Sequence, residues 1–372
     1  MFPGYIDFIV MNNSEKVLVV GAGPSGLSAA LFLSEQGLRP KIVDKETGLS
    51  LHSKALGVNP RTLVLLEQSG LTRRFLENGR KMEKINFWKG EQLVFQNDFT
   101  KTKHKYPFML IQPQQESEAL LLQALTERNV VVEFQTALSS LSKDHQSPTA
   151  TFRGANGMLE ERDYQLIIGA DGAKSSVREL SGIGMEGFKY NEEWELYDVE
   201  LDIPRAPDEG HVMVCREGGV VMIRLRGDVW RVAGNMPSLL NYLPRKTKVG
   251  KIIWCSTFRV GHRVARTLQQ GSIVLIGDAA HLHSPVGARG MNLGIEDAYI
   301  VSQLLKEGRL DEYTKIRQGY LKRTVRRINT MTQALGGTGW LMRKARANVG
   351  LFKSFFPIAM PVARKFILGL NK

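Results

Sequence analysis

The stretch Lys16-Val-Leu-Val-Val-Gly-Ala-Gly-Pro-Ser-Gly26 decides the fold. Its first five residues form a short apolar, β-branched run that stops at a glycine, the pattern of a strand covered on both faces in a parallel sheet. Gly21, Gly23 and Gly26 then make a GxGxxG motif with three separate steric jobs. Gly21 permits a tight turn, Gly23 lets the backbone approach a pyrophosphate, and Gly26 lets helix and strand pack closely. The helix predicted over Ser25–Gln36, stopped by Gly37, aims its unpaired N–H groups and positive dipole end at the phosphates. A second strand, Pro40–Val43, ends at Asp44, the acidic residue expected to accept bonds from ribose hydroxyls. Ser25 reads as a helix-start residue rather than a nucleophile, because GxSxG is not matched.

Outward from this βαβ unit the same pattern continues. Helical stretches are predicted over Arg61–Glu77 and Glu116–Thr126, and further strands of the sheet at Val130–Phe134 and Leu166–Ala170. From Met185 to Phe258 the character changes to alternating segments such as His211–Cys215, Val220–Leu225 and Val229–Ala233, which read as an inserted antiparallel sheet. Ser272–Gly277 restores the buried-strand pattern and leads into a helix over Met291–Glu307. The expected class is therefore α/β with an α+β insertion. A discontinuous Rossmann-like nucleotide-binding domain takes residues 15–84, 101–184 and 259–310. An antiparallel substrate domain takes 85–100 and 185–258, and a basic helical segment takes 311–372.

Composition narrows the class. The chain has 372 residues, and no apolar run approaches the ~20 residues that span a bilayer. Met1–Val10 has neither a basic n-region nor a cleavage site of small residues, so it does not read as a signal peptide. Cys215 and Cys255 are the only cysteines, with no metal-ligand spacing, which argues against a disulfide framework and a metal site and fits a reducing cytoplasm. Net charge is +13, and the thirteen Lys/Arg of Tyr313–Lys372 are accompanied by no Asp or Glu. Two readings of this tail stand: a terminal helix packed over the body with its basic face in water, or peripheral contact with an anionic membrane through Phe352, Phe355, Phe356, Ile358, Phe366 and Ile367 among Lys353, Arg364 and Lys365. No nucleic-acid motif accompanies the charge.

Two further segments carry a resemblance. Gly169-Ala-Asp-Gly-Ala-Lys-Ser-Ser-Val-Arg178 resembles the Asp-Gly motif of class A flavin monooxygenases, which include p-hydroxybenzoate and phenol hydroxylases. Gly277-Asp-Ala-Ala-His281, continuing through Pro285 to Gly290-Met-Asn-Leu-Gly-Ile-Glu-Asp297, resembles their second FAD motif. Pro113-Gln114, with Glu116 and Glu118, resembles the start of their intervening helix, and the likeness spans about Glu15–Gly308.

The resemblance implies non-covalent FAD, with Gly21, Gly23, Pro24, Ser25 and Gly26 along the pyrophosphate, Asp44 at the adenosine ribose, and Gln114 and Asp278 at the ribityl chain. Pro285, Gly287, Gly290, Met291 and Asn292 would border the isoalloxazine, and Asp171 and Gly172 would support the cofactor and a pyridine nucleotide. Lys54 stands where the family often has Arg, and Asp44 where it often has Glu. The implied reaction is reduction by NADPH or NADH, addition of O2 at flavin C4a, and transfer of one oxygen atom from the hydroperoxide to an aromatic or lipophilic small molecule. A flavin-dependent reductase of an isoprenoid substrate and a non-catalytic flavin-binding protein are the alternatives.

No general base is assigned. His211, His281 and His283 are candidates for a relay or for plain structural roles. Arg224 and Arg226 are a solvated edge or an anchor for an acidic substrate. Trp194, Trp230, Met213 and Met222 are core residues or apolar walls of the pocket.

Overall fold

A computed structural model describes residues 16–50, 55–349 and 356–371, with side chains described from 360 onward in the last segment. Met1–Val10, Lys54, Phe352, Lys353 and Phe355, and the side chains of Phe356 and Ile358, lie outside the described set.

The central sheet is built from β1 (Val17–Val20), β2 (Lys41–Val43), β3 (Val132–Glu133), β4 (Leu166–Gly169) and β5 (Ile273–Leu275) in the order β5-β4-β1-β2-β3, all parallel, with Gln269–Gln270 as a short antiparallel edge. β1, β4 and β5 are buried at every position, which is why their sequences are continuous apolar runs rather than alternating ones. Helix α1 (Pro24–Ser34) is buried from Gly26 to Leu33, wedged between this sheet and helix α3 (Gly290–Lys306), with α2 (Gln114–Thr126) also against it.

Two local departures from the predicted elements have simple causes. The expected helix over Arg61–Glu77 is two helices, Pro60–Leu65 and Leu71–Asn78, parted at Gly70, whose φ of 75° is left-handed. An antiparallel meander, Ala137–Leu141, Thr149–Arg153 and Leu159–Asp163, went unread because its outer strand is exposed throughout and carries no hydrophobic alternation.

Among the described residues the inserted sheet has eight strands. Its spine is a pair of 18-residue strands, Met185–Asp202 and Lys248–Ala265, and the hairpin Lys84–Lys89/Gln92–Asp98 joins through parallel pairing with Gly210–Val214. The second long strand runs on past Phe258 to Ala265, where Arg263 and Val264 pair with Leu282 and His281, tying the insert to the segment after β5. Along Gly219–Arg226 the two faces separate. Val220 and Met222 enter a core with Met213, Trp230 and Leu239, whereas Ile223 and Leu225 pack against a different apolar cluster beside the nucleotide-binding part. Met213, Met222 and Trp230 thus belong to the insert's own core and are not pocket walls.

The tail is packed on the body. Helix α4 (Tyr313–Gly336) buries Tyr313, Arg317, Leu321 and Ile328. Arg346 is buried and donates to the carbonyls of Cys215, Arg216 and Gly337. At the end of helix α5 (Phe356–Ile367), Phe366, Ile367 and Leu368 are buried as well. No helix among the described residues is long and apolar enough to cross a membrane.

Candidate cofactor site

The three glycines of the first motif are sorted by their surroundings. Gly21 has φ 107°, its N–H donates to the Val43 carbonyl at 2.8 Å, and a Cβ there would lie 2.5 Å from the Ala170 carbonyl oxygen. A Cβ on Gly26 would lie 1.8 Å from the Gly21 carbonyl oxygen. Among the described residues a Cβ on Gly23 would meet nothing within 4 Å, so this position is open on the side where α1 begins. Gly23 is the N-cap, Pro24 presets the first turn, and the end of α1 presents N–H groups that have no partner within the helix. An open backbone at a helix N-terminus fits a pyrophosphate.

Asp44, at the end of β2, accepts from Ala22 N–H at 2.6 Å and Glu46 N–H at 2.9 Å. Its carboxylate thereby holds the glycine turn against the second strand. Gln114 donates to the buried Glu118 at 2.8 Å. Burial, with the nearby Asp44 charge adding, pushes the Glu118 carboxyl above the usual carboxylate range.

The Asp-Gly segment is folded back on itself. Asp171 accepts from Ser175 Oγ at 2.5 Å and from the N–H groups of Ser176 and Val177 at 2.6 and 3.2 Å, so its side chain caps the short helix Ser176–Leu180. Burial raises its pKa against the lowering effect of these bonds. Gly172, with φ 80°, would direct a Cβ at nothing within 4 Å. Arg178 is buried and donates to the carbonyls of Ala173 and Ala279, stitching this segment to the second FAD motif.

That motif rests on a buried charge cluster. Asp297 is fully buried and accepts from Gly277 N–H at 3.1 Å, pairs with His281 Nε2 at 2.6 Å, and accepts from Arg317 Nε at 2.6 Å. Burial pushes its carboxyl upward most strongly, but the Arg317 and His281 charges and their bonds together outweigh it, leaving the pKa below the usual value. Ser25 Oγ sits where Cβ atoms of Gly277 and Gly294 would be, at 2.3 and 2.1 Å, so α1, the Gly277 turn and α3 meet around one hydroxyl. Asp278, one residue on, is exposed.

Residues near the expected ring site divide. Pro285 is exposed, Gly287 has φ 85°, and Gly290 and Met291 open α3. Asn292 is buried. Its Oδ1 accepts from Asn59 N–H and Thr62 Oγ1, and its Nδ2 donates to the Gly57 and Ala288 carbonyls. Its amide therefore clamps the 57–62 segment to α3, with its hydrogen-bonding capacity taken up by protein.

The remaining candidates are structural by their contacts. Burial lowers the His211 pKa, and its ring is fixed between Trp88 Nε1 and the Ala206 carbonyl. Arg224 pairs with Asp208 at 2.8 Å and Arg226 with Glu116 at 2.6 Å, so neither anchors an acidic substrate unpaired. Trp194 is buried near Phe258. Arg178 closes the quoted Asp-Gly motif without a role assigned to it there, whereas Arg289 and Arg317 act through partners 20 or more residues away, and no local pattern marks those two.

A glycine-turn cradle, an Asp-Gly loop and a second turn pinned by a buried aspartate are features of a dinucleotide-binding α/β fold. The chain belongs to the family described as FAD binding domain, which matches residues 14–233 and 235–327. It is 30% identical over 386 residues to 6-methylpretetramide 4-monooxygenase of Streptomyces rimosus, covering 96% of this chain and 66% of that protein. It is also 30% identical over 303 residues to pentachlorophenol 4-monooxygenase of Sphingobium chlorophenolicum, covering 76% of this chain and 56% of that one. The chain thus spans less than two thirds of the length of these curated relatives. The crystal structure of p-nitrophenol 4-monooxygenase from Pseudomonas putida shares the fold, with a TM-score of 0.82 over 95% of this chain and 97% of that chain at 23% identity.

Proposed function

We propose that this chain is a FAD-dependent monooxygenase, reduced by NADPH or NADH, that hydroxylates an aromatic or similarly electron-rich small molecule. The observation that carries the reading is the convergence of three motifs, drawn from residues 21–26, 171–178 and 277–297, on one open helix N-terminus. Both curated relatives carry monooxygenase names, which supports the reaction class.

In this reading Gly21, Gly23, Pro24, Ser25 and Gly26 bind the pyrophosphate, and Asp44 orients the adenosine ribose while holding Ala22. Gln114, steered by Glu118, and the exposed Asp278 hold the ribityl chain. Asp171 and Gly172 act by shaping their loop, and Asn292 acts by fixing the 57–62 segment. Bound FAD supplies electron transfer from the nicotinamide and activation of O2. The start of α3 places a positive dipole end beside the ring site, where negative charge on a reduced ring is stabilised. Ile223 and Leu225 line the insert's inward face and keep water from the reacting atoms.

The test starts with the visible spectrum of the purified chain and its anaerobic titration with NADPH and NADH, followed by turnover under 18O2 with phenolic substrates. A yellow protein that bleaches on reduction and yields singly labelled product is the expected result. An unlabelled, reduced product would replace the reading by a reductase, and a chain that cannot be loaded with FAD would end it.

A further inference from the structure

We infer that the C-terminal residues Phe366–Leu370 form a wall of the substrate chamber and set the size of the ring system it admits; this rests on the monooxygenase reading above. Ile367 and Leu368 are buried at 7% and 0% exposure in a cluster that Leu370 flanks and that draws on three parts of the chain, and Phe366, next to them in sequence, is buried at 4%. Leu56, Met109 and Ile111 come from the nucleotide-binding part, Ala288 from the loop before α3, and Ile223 and Leu225 from the insert's inward face. Residues from the end of the chain therefore stand where the loop expected at the flavin ring faces the inserted sheet.

The seat is specific to this segment. A Cβ on Gly287 would lie 4.0 Å from Phe366 Cε1, so the phenyl edge borders the loop itself. Arg289, two residues on, is buried, donates to the Phe366 carbonyl at 3.2 Å and to Tyr320 Oη at 3.1 Å, and its guanidinium lies 5.5 Å from the centre of the Phe366 ring. Gly369 takes φ 72°, and a Cβ there would lie 2.7 Å from both Arg289 Nη1 and Asn59 Nδ2. Asn59 in turn donates its N–H to Asn292. The tail is thus bonded and fitted to the same clamp that fixes the 57–62 segment to α3. A surface helix laid on the body would need neither a buried arginine at its carbonyl nor a left-handed glycine against that arginine.

The wall offers an aromatic edge and branched aliphatic side chains with no carboxylate, a surface suited to the apolar rim of a fused-ring phenol. Its bulk limits how many rings fit. Shortening Phe366 enlarges the chamber toward the tail, which favours larger ring systems over smaller ones.

The experiment uses the FAD-loaded full chain and measures dissociation constants by perturbation of the flavin visible spectrum, without turnover, for phenol, 2-naphthol and 2-hydroxyanthracene. F366A is expected to shift the preference for 2-hydroxyanthracene over phenol upward by about tenfold, the scale of discrimination set by a few methylene groups in an apolar pocket. F366L shifts it in the same direction by less, and is read in place of F366A if that variant does not fold. A ratio within twofold of wild type in a folded, FAD-loaded variant overturns the inference and leaves the monooxygenase reading standing. A wild-type chain that holds FAD but binds none of the three phenols overturns both.

Discussion

Gly23→Ala and Gly26→Ala add the same methyl group three residues apart, and the structure assigns them opposite consequences. At Gly23 the backbone angles, φ −75° and ψ −178°, are open to alanine, and the new Cβ meets no atom of the described residues within 4 Å. Loss of the small N-cap preference for glycine over alanine and the reduced entropy of the unfolded chain nearly offset, so apoprotein stability should change by less than about 1 kcal/mol. In the FAD complex the methyl intrudes between backbone and pyrophosphate. Losing one charge-assisted hydrogen bond costs about 1.5–3 kcal/mol, or roughly 10- to 150-fold in Kd. At Gly26 the methyl would sit 1.8 Å from a main-chain oxygen that cannot rotate away. The turn must move, at about 3 kcal/mol or more. Thermal unfolding of the apoproteins and titration of FAD by quenching of its fluorescence separate the two effects. Gly23→Ala binding FAD within twofold of wild type, or destabilising the apoprotein as much as Gly26→Ala, would refute the cradle.

Three other outcomes follow from the same geometry. Asp297→Asn removes one of the two carboxylates that pair with buried Arg317, leaving Glu296 at 2.9 Å, and should cost about 3 kcal/mol by denaturant unfolding, the low end for a broken buried pair. Because the folded pKa of Asp297 lies below its ordinary 3.8, its contribution is complete above that value and is lost as pH falls through the folded one. The wild-type Tm should therefore drop on strong acidification by an increment that the variant lacks. His262 has no hydrogen-bond partner among the described residues, and burial pushes its pKa down from 6.5 to about 4. The unfolded chain takes up a proton near 6.5 while the folded chain does not, so stability declines from pH 6.5 to about 4. His262→Phe should flatten that decline, leaving the share due to His283, whose pKa burial lowers to about 3; superimposable Tm profiles would refute it. Asp44→Ala should weaken FAD by about tenfold, near the scale of one charge-assisted bond, and weaken FMN, which has no adenosine ribose, by less, since only the loosening of the Ala22 turn reaches it; equal losses for both ligands would leave Asp44 holding the turn and no ribose.

The elements that were legible in the sequence are those whose causes are local. Continuous burial on both faces makes β1, β4 and β5 uniform apolar runs, and the three glycine jobs follow from spacing alone. The break at Gly70 was carried by one residue within a plausible helical pattern and was read through. Polar side chains were harder for a different reason. Asn292 and Asp171 occupy motif positions, but whether an amide or carboxylate faces a ligand or its own backbone depends on what lies opposite. Here the partners are Asn59 and Gly57, over 230 residues away for Asn292, and the adjoining turn for Asp171. Arg224 and Arg226 were ambiguous on the same ground, until Asp208 and Glu116 arrived from other elements to neutralise them.

Among the described residues the basic tail packs on the body with most of its cations at the surface, the first of its two expected placements. Its cations outnumber acids thirteen to none within Tyr313–Lys372, yet two of them are interior. Arg317 neutralises Asp297 in a place where a lone carboxylate would be driven to protonate, and only the ionised form both holds Gly277 N–H and pairs with His281. The turn that presents Asp278 is thereby fixed through α3 to α4, so the backbone geometry of the second FAD motif depends on a residue that the motif does not contain. Arg346, by contrast, is spent on carbonyls, where a fixed positive charge meets the negative end of α4. Among the described residues these positive charges thus serve one buried ion cluster, one helix end and a largely exposed remainder, and only the three-dimensional partners separate them.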